Sequence, residues 1–185
     1  MIITILILAM LVWSFLVGYS RGLALQAFYT FGASIALMTA SQNYQALGKK
    51  LSLWVPFASA TQDSKLLFYP NKLLFELDHI FYATLAFLTI YVAIYAIVRF
   101  IGVFLTTLED LTILGHIGNI AGGGLTALCA YVSLSLVFMT LSTIPLAMVQ
   151  DHLYASGLVR MMIAHTPILS GWLQEMFVTK FVNIK

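Results

Sequence analysis

Charged side chains are scarce in this chain: Asp, Glu, Lys and Arg together make up 9% of its 185 residues. Soluble domains carry about a quarter charged residues, so the composition excludes an ordinary soluble globular protein. The formal net charge is +2 and the basic residues form no dense cluster, which excludes a nucleic-acid-binding protein. With a single cysteine, Cys129, the chain cannot form an intramolecular disulfide, and its redox compartment stays open.

The sequence contains long apolar runs that few charged residues interrupt. Hydrophobic residues make up 61% of the sequence, and the mean hydropathy is +0.97. Between Met1 and Gln45 the only charged side chain is Arg21, and between His79 and Arg99 there is none. Apolar stretches of about 18 residues or more can cross a hydrocarbon core about 30 Å thick, so the sequence predicts an integral membrane protein. The first stretch has no Lys or Arg before it and no clear cleavage site after it, so we expect a retained helix rather than a signal peptide.

The predicted fold class is all-α, a polytopic membrane protein with about four transmembrane helices. Gly18 and Gly22 flank the charged Arg21 between two apolar runs, which indicates that the first two helices form a short hairpin. The fourth helix should end at Pro145, because one helix from Leu111 to Gln150 would be about 60 Å long, twice a bilayer. We therefore predict a single membrane domain of residues 1–185, with helices at about residues 2–17, 23–40, 80–98 and 119–144.

Two further segments are predicted to lie at the membrane surface. The central loop, residues 41–79, mixes lysines with aromatic and aliphatic side chains and is too short to bury a core of its own. In the C-terminal tail, residues 146–185, the apolar side chains between Trp172 and Phe181 fall on one side of a helix. Both patterns are typical of amphipathic segments in the headgroup layer.

Small residues recur every four positions on the second and fourth predicted helices. Residues four apart lie on one helix face, and small residues there let another helix backbone approach closely inside a bilayer. We therefore predict a role in helix packing for these residues, with the second helix as the neighbour of the fourth: Gly32, Ala36 and Ala40 on the second helix, and Gly118, Gly122, Thr126 and Ala130 on the fourth.

Residue types found in hydrolases and metal sites occur, but without the pattern that such sites need. The tail lacks the Gly-x-Ser-x-Gly turn of a serine hydrolase although it contains Asp151, His152, Ser156 and His165. Acidic residues with a histidine precede two helices: Glu76, Asp78 and His79 before the third, and Glu109, Asp110 and His116 before the fourth. Carboxylates at helix starts interact favourably with the helix dipole, so a structural role is the better interpretation. We expect no catalytic residue, no metal and no cofactor.

Arg21 is the charged residue with two competing interpretations. Held in the hairpin between Gly18 and Gly22, it could contact a lipid phosphate or the carboxylate of a partner. Alternatively its side chain simply extends from the turn to the headgroups, which we favour. The orientation of the chain in the membrane is also open. Counting basic residues on both sides of four crossings favours cytoplasmic termini, whereas the first hairpin alone favours termini on the opposite side.

The order of these features resembles the colicin V production protein family of bacterial inner-membrane proteins, Gram-positive branch. The matching features are Arg21-Gly22 in a short hairpin, a long loop, a glycine-rich fourth helix with Gly122, and a tail containing Ile144-Pro145, Ser156 and His165-Thr166-Pro167-Ile168-Leu169-Ser170. Thr112 departs from the family pattern, which has a proline there. The resemblance implies a multi-pass protein of the bacterial plasma membrane that serves the production or export of a peptide toxin and envelope maintenance. It supplies no catalytic residue and no cofactor.

Three hypotheses of function follow. The first is a non-enzymatic protein that supports toxin export and envelope homeostasis through contacts with other membrane components. These contacts would form in the lipid bilayer, with a membrane-protein partner or with a second copy of the protein. It is favoured because no predicted helix interior carries an ionised residue, as carriers and pumps usually do. The second is an oligomeric channel or small-solute exporter, whose pore Gln26, Asn119 and the hydroxyl residues of the fourth helix could line. The third is a membrane anchor for a partner enzyme.

Overall fold

The computed structural model of the protein describes residues 2–57, 67–69, 77–105 and 115–164. In these ranges every regular element is an α-helix: α1 Ile2–Arg21, α2 Leu23–Leu51, α3 Leu77–Val103, α4 Gly115–Ser142, α5 Ala147–Tyr154 and α6 Gly157–Ala164. The first four are long and apolar enough to cross a membrane. The predicted fold class is therefore confirmed.

The turn between α1 and α2 consists of one residue, Gly22. Its φ is +78°, in the left-handed region that glycine adopts without the cost that a Cβ atom imposes. Its N–H donates to the carbonyl oxygen of Gly18 at 3.2 Å, the hydrogen bond by which a left-handed residue closes a helix C-terminus. The predicted hairpin is thus built on a glycine that both ends α1 and reverses the chain into α2.

The second helix is longer than its apolar run. We predicted its end at Ala40, but α2 continues to Leu51, so the predicted start of the central loop at residue 41 was too early. The added residues are rich in Gln, Ala, Leu and Lys, which favour helix, and polarity alone does not end one. At about 1.5 Å per residue its 29 residues span about 44 Å, more than a hydrocarbon core about 30 Å thick.

The third and fourth helices begin before their predicted starts. α3 extends beyond residues 80–98 at both ends, so Arg99, which we predicted to bound the helix, lies inside its last turns. Arginine favours helix, and its long side chain can reach the membrane surface from within the last turns. α4 begins at Gly115, within the predicted surface lead-in, and ends at Ser142, shortly before Pro145.

Other predictions fall outside the described residues. These are the interfacial helix between Trp172 and Phe181 and part of the central loop, residues 58–66 and 70–76. The described part of the tail instead forms the two short helices α5 and α6.

The described residues divide into two compact units. The hairpin unit comprises residues 5–42, 89–105 and 115–134, and its buried side chains include Leu25, Tyr29, Ala36, Tyr91 and Cys129. The tail unit comprises residues 2–4, 43–57, 67–69, 77–88 and 135–164, and its buried side chains include Tyr44, Phe87, Met139, Leu153 and Val159. Each unit therefore has a core of its own, drawn from several helices.

Candidate functional site: the α1–α4 junction and the buried polar groups

The C-terminal end of α1 lies against the glycine-rich start of α4. A Cβ atom at Gly18 would lie 2.6 Å from the carbonyl oxygen of Gly122 and would overlap the side chain of Thr126. A Cβ atom at Gly122 would lie 2.8 Å from the carbonyl oxygen of Gly22 and 3.0 Å from that of Gly18. Such distances are shorter than ordinary van der Waals contacts, so the two backbones approach as closely as glycine permits.

The glycines of the α4 groove do not meet the glycine of α2 that we predicted, although α2 neighbours α4 further along, where the Cys129 thiol donates to the Thr30 hydroxyl at 3.6 Å. Gly118, Gly122 and Thr126 are buried and Ala130 is half-buried. At Gly122, however, the neighbour is the end of α1, while the corresponding glycine of α2, Gly32, faces Val98 of α3. The predicted pairing of these two small-residue lines was therefore wrong at both glycines. Glycines on α1 and α2 are equivalent in type, and only the tertiary structure decides which of them meets Gly122.

Side chains at the two helix ends extend this junction. The Tyr19 hydroxyl lies 3.0 Å from Nε2 of His116, with the two rings edge to face at 5.8 Å. A Cβ atom at Gly123 would lie 2.9 Å from the carbonyl oxygen of Phe15. Arg21 is half-buried at the turn and interacts within the protein. The last turns of α1 and the first turns of α4 therefore hold one another through both backbone and side chains.

Gln26 is a fully buried amide in the first turn of α2. Its exposed fraction is 0%, and neither Nε2 nor Oε1 has a hydrogen-bond partner among the described residues. It lies one helical turn after Gly22, which meets Gly122, and one turn before Thr30, which hydrogen-bonds Cys129 at 3.6 Å. Gln26 therefore lies on the side of α2 that faces α4. Buried amides are nearly always paired, so this one needs an explanation.

Unlike the Gln26 amide, the hydroxyl groups on α4 have hydrogen-bond partners among the described residues. Thr126 donates to the carbonyl oxygen of Gly122 at 2.8 Å, and Ser133 donates to that of Cys129 at 2.8 Å. The Tyr91 hydroxyl lies 2.9 Å from the Ser133 hydroxyl. These side chains satisfy their hydrogen-bonding groups on their own helix or next to it, so a membrane can accommodate them without a bound ligand.

In the tail unit, Gln150 closes the end of α4. Its exposed fraction is 1%, and its amide nitrogen donates to the carbonyl oxygens of Ser142 and Ile144 at 2.8 and 3.0 Å. Its amide oxygen accepts from the N–H of Leu67 at 3.4 Å. Helix carbonyls at a C-terminus have no partner in their own helix, and here a side chain from α5 supplies one.

A second buried hydrogen bond joins Tyr69 to the same helix end. The Tyr69 hydroxyl lies 3.1 Å from the Ser142 hydroxyl. Burial raises the pKa of the Tyr69 phenol above its ordinary value of 10.0, while the hydrogen bond to Ser142 lowers it in part. The phenol is therefore neutral over the physiological range and acts as a hydrogen-bonding group of the fold.

Among the described residues, the hydrolase-type side chains of the tail form no hydrogen bond with one another. Ser156 is buried and its hydroxyl lies 2.8 Å from that of Thr4. His152 is exposed, and its Nδ1 lies 2.7 Å from the carbonyl oxygen of Met148 on its own helix. Asp151 is also exposed, and His165 lies outside the described residues.

The acidic clusters show a comparable pattern where they are described. Asp78 lies in the first turn of α3 and accepts the N–H of His79 at 2.7 Å, which fits a structural role at a helix start. Within the ranges that the structure covers, no group of three metal-ligating side chains comes together. Glu76, Glu109 and Asp110 lie outside those ranges.

Four long apolar helices with buried polar groups between them define a multi-pass α-helical membrane protein. The family model described as Colicin V production protein matches residues 3–167, and the chain belongs to this family. The chain is also similar to an uncharacterized transmembrane protein, YshB, of Bacillus subtilis (strain 168). The two are 28% identical over 175 residues, which cover 94% of this chain and 96% of the relative. No solved structure matches the chain significantly. The resemblance predicted from the sequence is confirmed.

Proposed function

We propose that this protein is a non-enzymatic component of the bacterial plasma membrane that supports the production or export of a colicin V-type peptide toxin and envelope homeostasis. It would do so through contacts with another membrane protein. Membership of a family described by colicin V production supports the toxin part of the proposal.

The surface of α1 supports the contact part. Within the protein, 11% of the α1 span is buried, against 33% to 39% of the spans of α2, α3 and α4. Its large exposed side chains include Leu8, Val12, Trp13 and Leu16. Membrane helices associate through packing and not through a hydrophobic drive, so a helix with so little packing in its own chain is the one best placed to pack against another protein.

A complementation experiment tests this role. In a toxin-producing strain that lacks the protein, the native chain should restore the secreted toxin titre. The double variant Trp13→Ala and Leu16→Ala should restore about tenfold less, the loss that corresponds to about 1.4 kcal/mol of contact energy. The matched control is Ile35→Ala with Met38→Ala, two exposed side chains of α2, which should restore the native titre.

Crosslinking gives the physical readout of the same proposal. A photo-crosslinker at Trp13, 70% exposed, should capture a membrane protein whose own loss also lowers the toxin titre, and one at Ile7, 2% exposed, should not. The proposal fails if deletion of the protein leaves the titre unchanged, or if Trp13 yields adducts with lipid alone. A substrate turned over by the purified protein and lost on Ser156→Ala would equally overturn it.

A second candidate, an oligomeric channel or small-solute exporter, is favoured by one observation, the buried Gln26 amide that has no hydrogen-bond partner among the described residues. Polar groups inside membrane helices often mark a solute path. If so, vesicles containing the protein should take up glycerol faster than empty vesicles. Gln26→Leu should abolish that difference, while the exposed Gln42→Leu on the same helix should keep it. Equal uptake by loaded and empty vesicles would remove this candidate.

A further inference from the structure

An arginine on α3 is held between aromatic rings in the hairpin unit. The Arg99 guanidinium carbon lies 4.6 Å from the ring centroid of Tyr29 and 5.9 Å from that of Tyr95. Tyr95 in turn stacks on Tyr91 at 5.7 Å with an interplanar angle of 18°. A Cβ atom at Gly102 would overlap the Tyr29 ring, so glycine is what lets that ring lie against α3. The guanidinium is thus held in place by packing on two helices.

Among the described residues, the contacts of the Arg99 guanidinium are with aromatic rings. Among the described residues no carboxylate forms an ion pair with it, although it is half-buried. Rings attract the face of a guanidinium, while its five N–H donors lie in its plane and point outward from its edge. A partly desolvated cation whose donors have no acceptor among the described residues is stabilised by a counter-ion with several acceptor oxygens.

The depth of Arg99 fits the level of lipid phosphates. It lies one helical turn before the end of α3 at Val103, about 6 Å along the axis, which an arginine side chain can span to the headgroups. Phe100 and Phe104 beside it are 66% and 71% exposed and lie edge to face at 5.3 Å. Tyrosine is enriched at membrane–water interfaces, and the two tyrosines that hold Arg99 therefore fit an interfacial position for this end of α3.

We infer that Arg99, positioned by Tyr29 and Tyr95, binds the phosphate of an anionic phospholipid at the α3 end of the hairpin unit. A phosphodiester offers two oxygens to the planar donor fork of arginine, a geometry that lysine cannot reproduce. The headgroup of a zwitterionic lipid carries its own ammonium group, which competes for the phosphate, so a cation that forms no ion pair among the described residues selects a lipid of net negative charge. This inference does not depend on the proposed function.

Lipid retention by the purified full chain tests the site. Phosphatidylglycerol and phosphatidylcholine are titrated onto the detergent-solubilised protein, and bound lipid is counted by native mass spectrometry. The native protein should prefer phosphatidylglycerol, and Arg99→Gln should lose about tenfold in its affinity, as expected on removal of a bidentate charge-assisted contact. Arg99→Lys keeps the charge and should fall between the two.

The matched control is Arg160→Gln on α6. Arg160 also stacks on a tyrosine, at 5.0 Å from the Tyr154 centroid, but it is exposed, so its removal lowers the net charge equally without touching the site. It should retain phosphatidylglycerol like the native chain. If Arg99→Gln does not fold, Tyr29→Phe and Arg99→Lys test the site in its place. Tyr29→Phe should keep the preference for phosphatidylglycerol, because the ring remains. Arg99→Lys should weaken that preference.

Three results would overturn the inference. Equal affinity of the native chain for the two lipids would show that no anionic headgroup is selected. Equal losses on Arg99→Gln and Arg160→Gln would show a response to net charge alone. Displacement of phosphatidylglycerol by millimolar inorganic phosphate would show that the site takes free phosphate and not a lipid.

Discussion

At Gly122 the α4 backbone lies so close to the carbonyl oxygens of Gly22 and Gly18 that a Cβ atom would be 2.8 and 3.0 Å from them. The four-residue spacing of small residues was enough to predict a packing role for this position, because spacing fixes which residues share a helix face. The partner backbone was not predictable from spacing, since the approach depends on the turn at Gly22. Close approach at a residue is thus a property of two segments far apart in the sequence.

Leucine at position 122 should damage the fold. It would push α1 away from α4, and overpacking of this kind costs about 1–3 kcal/mol, with more expected where backbone is displaced. The thermal midpoint of the detergent-solubilised protein should fall measurably. Gly124→Leu is the control, because Gly124 lies two residues away on the same helix, is exposed and has nothing within 4 Å of a Cβ atom. Equal midpoints for the native chain and Gly122→Leu would contradict the packing described here.

At the scale of the helices, the apolar run fixes where a helix crosses the membrane but not where it ends. α2 passes the end of its apolar run at Ala40 and continues to Leu51, because its polar continuation still favours helix. α4 ends at Ser142, and the carbonyl oxygen of that last residue accepts a hydrogen bond from Gln150 of the next helix. Nothing in the sequence around Gln150 indicates this role, because an isolated glutamine in a tail is ordinarily interpreted as a residue exposed to solvent.

Two fully buried glutamines should respond oppositely to replacement by leucine. Gln150→Leu leaves the carbonyl oxygens of Ser142 and Ile144 without that donor, which costs about 1–3 kcal/mol for each group left unpaired. Gln26→Leu removes an amide that has no partner among the described residues, so stability should hold or rise. Unfolding in a denaturing detergent titration measures both changes.

The comparison has a clear contrary outcome. If Gln26→Leu destabilises the protein as much as Gln150→Leu, the Gln26 amide has a binding partner in the membrane, and it is then part of a site. Gln42→Leu, an exposed change on α2, controls for the added hydrophobic surface.

At the scale of the whole molecule, the scarcity of charge decides the class of protein. Four helices long enough to cross a membrane follow from apolar runs that few charges interrupt, and the structure has the same four. The order of the hairpin, loop, glycine-rich helix and tail was sufficient to predict the family, because these features extend along nearly the whole chain. Arg99 was misjudged as a boundary residue, since a charge at the end of an apolar run usually marks the end of a helix.

The sequence by itself determined the membrane class, the four crossings, the glycine hairpin and the family, because each depends on local composition and on periods of a few residues. The tertiary structure alone decided that α1 and not α2 meets Gly122, and that Arg99 lies on Tyr29. It also decided that Gln150 closes α4 whereas Gln26 has no hydrogen-bond partner among the described residues. The physical reason is that the small residues, buried amides and aromatic rings of one helix suit those of several others equally well. Only the packed backbones select one set of contacts.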